Sequence, residues 1–178
     1  MRKTKYIGSG GLAFDEEKDM ERLSKYASKG WILEKFAFLG FKLRKGPSES
    51  VDYSVAYESD PDEDYFAYFE AAGWKHVCST GNYIHIFSAP KNTTPIYTDK
   101  ASIVDKYEKE KRKMADIAFP TLIFMAILFI LDSLSNLSWV SDVVGTISLG
   151  LACLTLIVLV FTGLPYFGYQ YKIYKLRK

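Results

Sequence analysis

The sequence predicts an α+β fold: an N-terminal antiparallel sheet with two helices from a duplicated helix-GlyTrp-hairpin unit, followed by a two-helix transmembrane hairpin. Three observations predict it. The pair Gly-Trp occurs at 30–31 and again at 73–74, each time after an amphipathic stretch and before two short alternating runs. The stretches 117–131 and 143–171 contain no charged residue. No Lys or Arg stands anywhere between Lys113 and Lys172. These features divide the chain into a cytosolic α+β domain (1–97), a charged connector helix (98–114), a first transmembrane helix (115–137), an external loop (138–142), a second transmembrane helix (143–171) and a basic cytosolic tail (172–178).

Residues 4–7 read as a first strand, and Gly8-Ser9-Gly10-Gly11 as the turn after it. The glycine run lacks the Lys-Ser/Thr of a phosphate-binding loop. Asp15 is the expected N-cap of the first helix, whose apolar stripe is Met20, Leu23, Tyr26 and Ala27. Gly30 falls where a helix ends on a left-handed residue, and Trp31 opens a hairpin of residues 32–36 and 41–44. A further strand is expected at 51–58. The second unit repeats the plan: Asp60 or Asp62 as cap, a stripe of Tyr65, Phe66, Phe69 and Ala72, then Gly73 and Trp74. Its hairpin runs through 75–78 and 83–87, with the turn at Gly81-Asn82. The order β-α-β-β-β-α-β-β predicts a single sheet with both helices on one face.

The charge distribution predicts the membrane topology. Residues 1–98 hold 13 basic and 14 acidic side chains, so this part is nearly neutral. The net charge of +2 comes from cations flanking the apolar stretches: Lys109, Lys111, Arg112 and Lys113 before them, and four more from Lys172 onward. No basic face for nucleic acid is expected. Cations at both ends and none in the loop place both termini in the cytoplasm. Trp139 is expected at the outer interface and Tyr166, Tyr169, Tyr171 and Tyr174 at the inner one. Thr98 or Asp99 caps the connector helix, and Gly145, Ser148 and Ala152 form a small-residue row for close helix approach. No ionisable residue lies at mid-membrane, which favours an anchor over a conduit.

Catalytic and metal-binding patterns are sparse. His76 and His85 are the only histidines, and the two cysteines, Cys78 and Cys153, are far apart in character, one in the polar half and one in an apolar run. His76 and Cys78 stand two apart, the spacing that shares a strand face. No cofactor and no enzymatic activity are expected. The aromatic supply is larger than a small core needs. With helices on one side only, the sheet would leave an aromatic face open to a partner. The candidate face comprises Trp31, Tyr53, Tyr57, Trp74, Tyr83, His85 and Phe87, with the structural glycines Gly30 and Gly73.

The paired Gly-Trp units, the segment Ile96-Tyr97-Thr98-Asp99 opening a charged helix, and the hairpin tail resemble a bacterial family known as domain of unknown function 2812. The resemblance covers residues 12–115. It implies a small bacterial cell-membrane protein, mostly of Gram-positive organisms and often encoded near PadR-type regulators, and it implies no activity. The functional expectation is a non-enzymatic, membrane-anchored binding or regulatory module. Its expected partners are the lipid bilayer and a protein, a peptide or a second copy. The alternative expectation is protection against membrane stress or an antimicrobial peptide, in the manner of an immunity protein, through the transmembrane hairpin.

Overall fold

The computed structural model describes residues 3–97, 99–135 and 142–178. The chain forms two compact units, Met1–Ile103 and Val104–Lys178. The first contains β1 (Thr4–Gly8), α1 (Leu12–Ala27), β2 (Trp31–Ala37), β3 (Gly40–Lys45), β4 (Val51–Tyr57), α2 (Glu63–Ala71), β5 (Lys75–Thr80) and β6 (Ile84–Pro90). Two long helices follow, α3 (Lys100–Ser135) and α4 (Asp142–Arg177).

The strands form two antiparallel three-stranded sheets, β1-β3-β2 and β4-β6-β5, and not the single sheet expected. In each, the last strand of a β-α-β-β run inserts between the other two. β2 and β5 lie next to one another without sharing a ladder. Each carries a register shift, between Leu33 and Lys35 in β2 and between His76 and Cys78 in β5. Bulges turn a strand's hydrogen-bonding edge out of line, so these two edges do not join into a six-stranded sheet.

Both sheets and α1 enclose one core, with Leu23, Leu33, Phe41, Leu43, Val55 and Ile86 among its buried residues. α2 covers the other face of the second sheet through Phe69, Trp74 and Phe87, joined by Tyr65 and Phe66. β6 is therefore buried on both faces, His85 and Phe87 toward α2 and Ile86 toward the shared core.

Local signals account for most boundaries. Gly30 (φ 75) and Gly73 (φ 85) adopt the left-handed conformation expected after their helices, with Gly30 N–H bonded to Ala27 O at 2.9 Å and Gly73 N–H to Glu70 O at 2.9 Å. Asp62 caps α2, accepting from Tyr65 N–H at 2.9 Å. α1 departs from expectation: it begins at Leu12 after Gly11, and Asp15 sits at a kink (φ −120, ψ 31) bound to Lys18 at 2.6 Å. The β2–β3 turn places Leu39 at φ 51, with Phe38 86 % exposed beside it. Tyr6 Oη holds that turn by donating to Phe38 O at 2.9 Å.

Connector and first apolar stretch merge into one helix, α3. Asp99 caps it, accepting from Ser102 N–H at 2.9 Å, while Thr98 lies outside the described residues. Pro120 and Pro165 lie inside their helices. The segment expected as a basic tail is largely the last part of α4, which lies against α3. Tyr107 and Tyr169 rings are 5.9 Å apart, Lys111 Nζ donates to Gln170 Oε1 at 3.0 Å, and Arg177 pairs with Glu108. Gly145, Ser148 and Ala152 are all buried. Thr121 and Thr162 spend their hydroxyls on their own helix carbonyls at 2.7 and 2.9 Å. Both helices are long and apolar enough to cross a membrane. Trp139 and most of the connecting loop lie outside the described residues.

Candidate functional site

The β5 bulge decides what the histidines can do. A regular strand would put His76 and Cys78 on one face. The register shift instead sets His76 opposite Phe87 and Cys78 opposite Ile86, so the two side chains leave the strand on opposite faces. Cys78 enters the shared core, where burial pushes its thiol up to about 11. Burial thus disfavours the thiolate, the form in which a cysteine attacks. The same shift brings Ser79 opposite His85.

A polar relay results on the α2 side of the second sheet. His85, fully buried, donates from Nε2 to the Glu58 backbone carbonyl at 3.0 Å. Its Nδ1 lies 2.7 Å from Ser79 Oγ, and His76 Nε2 lies 2.8 Å from the same oxygen. Phe66 roofs both imidazoles, with ring centroids at 4.7 Å from His76 and 5.5 Å from His85. Ser79 carried no recognisable signal in the sequence, because only the bulge gives it this place.

The His76 ring is held below its ordinary value, first by burial and then by His85. As pH falls, the unfolded chain binds this proton first. The ring's contribution to stability is therefore full above about pH 6.5 and is lost as pH drops through the lower folded value. His76→Gln is expected to flatten the decline in urea midpoint between pH 7.5 and 5. Parallel declines in variant and wild type would refute this.

The Gly8–Gly11 turn binds an anion of the chain's own. Gly10 N–H lies 3.0 and 3.1 Å from the Asp19 carboxylate oxygens, Ser9 Oγ donates to Asp19, and Arg22 Nη2 reaches it at 2.6 Å. Asp19 is 2 % exposed and fills the loop.

A cleft of about 550 Å³ lies between α1 and β4. Met20, Tyr53 and Val55 line it together with Glu16, Glu17, Glu21 and Asp52, against only Lys25 and Lys91. Glu16 is also tied to Tyr57, whose Oη donates to it at 3.0 Å.

A family model described as "Protein of unknown function (DUF2812)" matches residues 15–119. The chain belongs to the DUF2812 family. The matched segment begins within α1, takes in both walls of the cleft and the whole relay, and ends inside α3. No curated protein and no solved structure matches the chain.

The aromatic residues of this DUF2812 protein do not share one open face. Tyr53 belongs to the shared core, while Trp74, His85 and Phe87 are buried beside α2. Trp74 Nε1–H donates to Thr94 O at 2.8 Å. Tyr57 and Tyr83 pack together at 5.9 Å, each half-buried. Trp31, on the other sheet, is half-buried with Lys45 Nζ 5.2 Å from its ring. The open aromatic face expected of a single sheet is closed because each sheet turns one face to the shared core and α2 covers the outer face of the second.

Proposed function

We propose that this protein is a non-enzymatic, membrane-anchored binding module whose N-terminal unit holds a basic segment of a protein partner in the α1–β4 cleft. The observation that carries the reading is the cleft itself: an apolar floor with four carboxylates and two lysines around it. Such a rim attracts and orients a cationic peptide, and the floor supplies apolar contact area. The anchor reading rests on the two long apolar helices, of which only 6 % and 17 % of the most apolar stretch is buried. The cation distribution around them favours both termini on the cytoplasmic side, and the family resemblance favours a bacterial cell membrane.

Glu17 and Glu21 are exposed, so their reversal should leave the fold intact. A photo-crosslinker at Ser54, in the full-length protein in its host membrane, is expected to trap a discrete partner through a Lys/Arg-rich segment. In the Glu17→Lys/Glu21→Lys variant the yield is expected to fall about tenfold or more, as charge reversal at a complementary interface costs several kcal/mol. An unchanged adduct in that variant would remove the cleft from the interface. A second copy of this chain as the trapped species would turn the reading to self-association.

The exposed apolar surface of α3 and α4 favours one second reading, protection of the membrane by the hairpin itself. Resistance to a membrane-active peptide that survives deletion of residues 1–97 would support it over the first.

A further inference from the structure

Three ammonium groups stand together on one face of the first sheet. Lys45 N–H donates to Lys3 O at 2.9 Å, and Lys45 also stands opposite Trp31, so Lys3, Lys45 and Trp31 form one row across β1, β3 and β2. Lys5 lies on the same face, two residues along β1 from Lys3. Its Nζ is 4.6 Å from the Tyr26 ring centroid and 5.7 Å from that of Trp31. Lys45 Nζ, 5.2 Å from the Trp31 ring, donates to Lys29 O at 2.9 Å. Like charges set opposite one another in a sheet destabilise it. An aromatic face holds an ammonium in place without neutralising it. Among the described residues Lys18, Arg22 and Lys42 of this unit pair with carboxylates, and Lys3, Lys5 and Lys45 do not. All three are exposed, as is Lys29. An anion from outside the unit would offset the repulsion among them.

We propose that this end of the N-terminal unit docks on the anionic lipid headgroups of a bilayer, with Lys3, Lys5, Lys29 and Lys45 against phosphates and the half-buried Trp31 at headgroup level. The place of the lysines in the unit selects this anion. Gly46 N–H bonds Gly30 O at 3.0 Å, Glu49 N–H bonds Ala27 O at 3.0 Å, and Lys91 N–H bonds Ser50 O at 3.3 Å. The ends of α1, β3 and β6 and the start of β4 therefore lie at the same end of the unit as the lysines. From there the chain leaves β6, and residues 91–99 alone separate it from α3, a helix long and apolar enough to cross a membrane. That segment spans at most about 30 Å when extended, so a bilayer holding α3 is an anionic surface always within reach. Glu58, Asp60 and Asp62 follow the opposite end of β4, whereas the loop 46–50 beside the lysines offers one carboxylate, Glu49. An anionic surface thus attracts one end of the unit and repels the other. The inference rests on the membrane-anchor reading and does not involve the cleft.

The test is amine labelling of the full-length protein in lipid nanodiscs, read lysine by lysine by mass spectrometry. Discs of phosphatidylcholine alone are compared with discs holding an equal share of phosphatidylglycerol. Lys3, Lys5, Lys29 and Lys45 are expected to label at least about fivefold more slowly in the anionic discs, since a lysine near an anionic surface is worth roughly fivefold in binding. Lys18, toward the start of α1, is expected to label alike in both. Lys5→Gln/Lys45→Gln, at exposed positions that leave the fold intact, is expected to abolish the protection of Lys3 and Lys29. Inorganic phosphate added to the neutral discs is expected to change nothing, and protection by phosphate there would assign the cluster to a soluble anion and overturn the proposal. Equal labelling in both discs would overturn it and leave the anchor standing. A chain that co-elutes with neither disc would remove the anchor and the proposal together.

Discussion

Replacing Asp19 by alanine is expected to destabilise the N-terminal unit by roughly 2–4 kcal/mol, the scale for losing the hydrogen bonds of a buried carboxylate whose partner Arg22, 42% exposed, can turn to water. Asp19 lies on α1 and is 2 % exposed, yet the groups it serves lie mostly outside that helix. Gly10 N–H and the Ser9 hydroxyl come from the β1–α1 turn, and Arg22 comes from the next turn of α1. Arg22 in turn donates to Gly8 O, so the carboxylate links the end of β1 to the body of α1. Alanine leaves the amide and the hydroxyl facing a void that water must fill. Asp19→Asn keeps one acceptor and should lose less. Urea unfolding of the full-length protein in micelles, followed by Trp31 and Trp74 fluorescence, gives the comparison. A loss under about 1 kcal/mol for alanine would show that the turn stands without its internal anion.

Phe87→Ala is expected to cost roughly 3–5 kcal/mol, as large aromatic truncations in closed cores do. Phe87 is fully buried and sits 4.5 Å from Phe69, 5.5 Å from His76 and 6.2 Å from Phe66, ring centroid to centroid. α2 bears on the sheet through these rings, and truncation leaves a cavity between rigid partners from both elements. Tyr68→Ala, on the same helix but 75 % exposed, is the control, expected to stay within about 0.5 kcal/mol. The pair separates two roles for the aromatic set. Residues of an open binding face tolerate truncation in stability and lose only binding, whereas core residues lose the fold.

How much was legible in the sequence depended on how local the cause was. Gly30 and Gly73 announce their helix ends because a left-handed residue strains any side chain but glycine's. Gly81 and Asn82, both at positive φ, mark the β5–β6 turn, since glycine and asparagine are the residues that enter that conformation most readily. Asp62 is legible as a cap, since its partner is three residues on. Asp15 misleads: the glycine run lets α1 begin earlier, and Asp15 lands on a kink. The relay was half legible. His76 and His85 stand out by type, but Ser79 joins them only because a bulge shifts the register, and a bulge leaves no mark in a pattern of alternating residues. Asp19 reads as one more acid on a helix, because the amide it binds is nine residues away.

By itself the sequence determined the α+β class, the succession of strands and helices in the N-terminal unit, and the two apolar helices at the end. Each follows from short-range periodicity, glycine conformation and the free energy of transferring apolar groups from water, all of which are written in consecutive residues. The tertiary structure alone decided that the strands close into two sheets, that α2 covers the aromatic face, that the glycine turn encloses Asp19, and that His76 and His85 meet across Ser79. Those outcomes depend on strand edges turned by bulges and on groups brought together by packing between elements, where no local preference distinguishes one pairing from another.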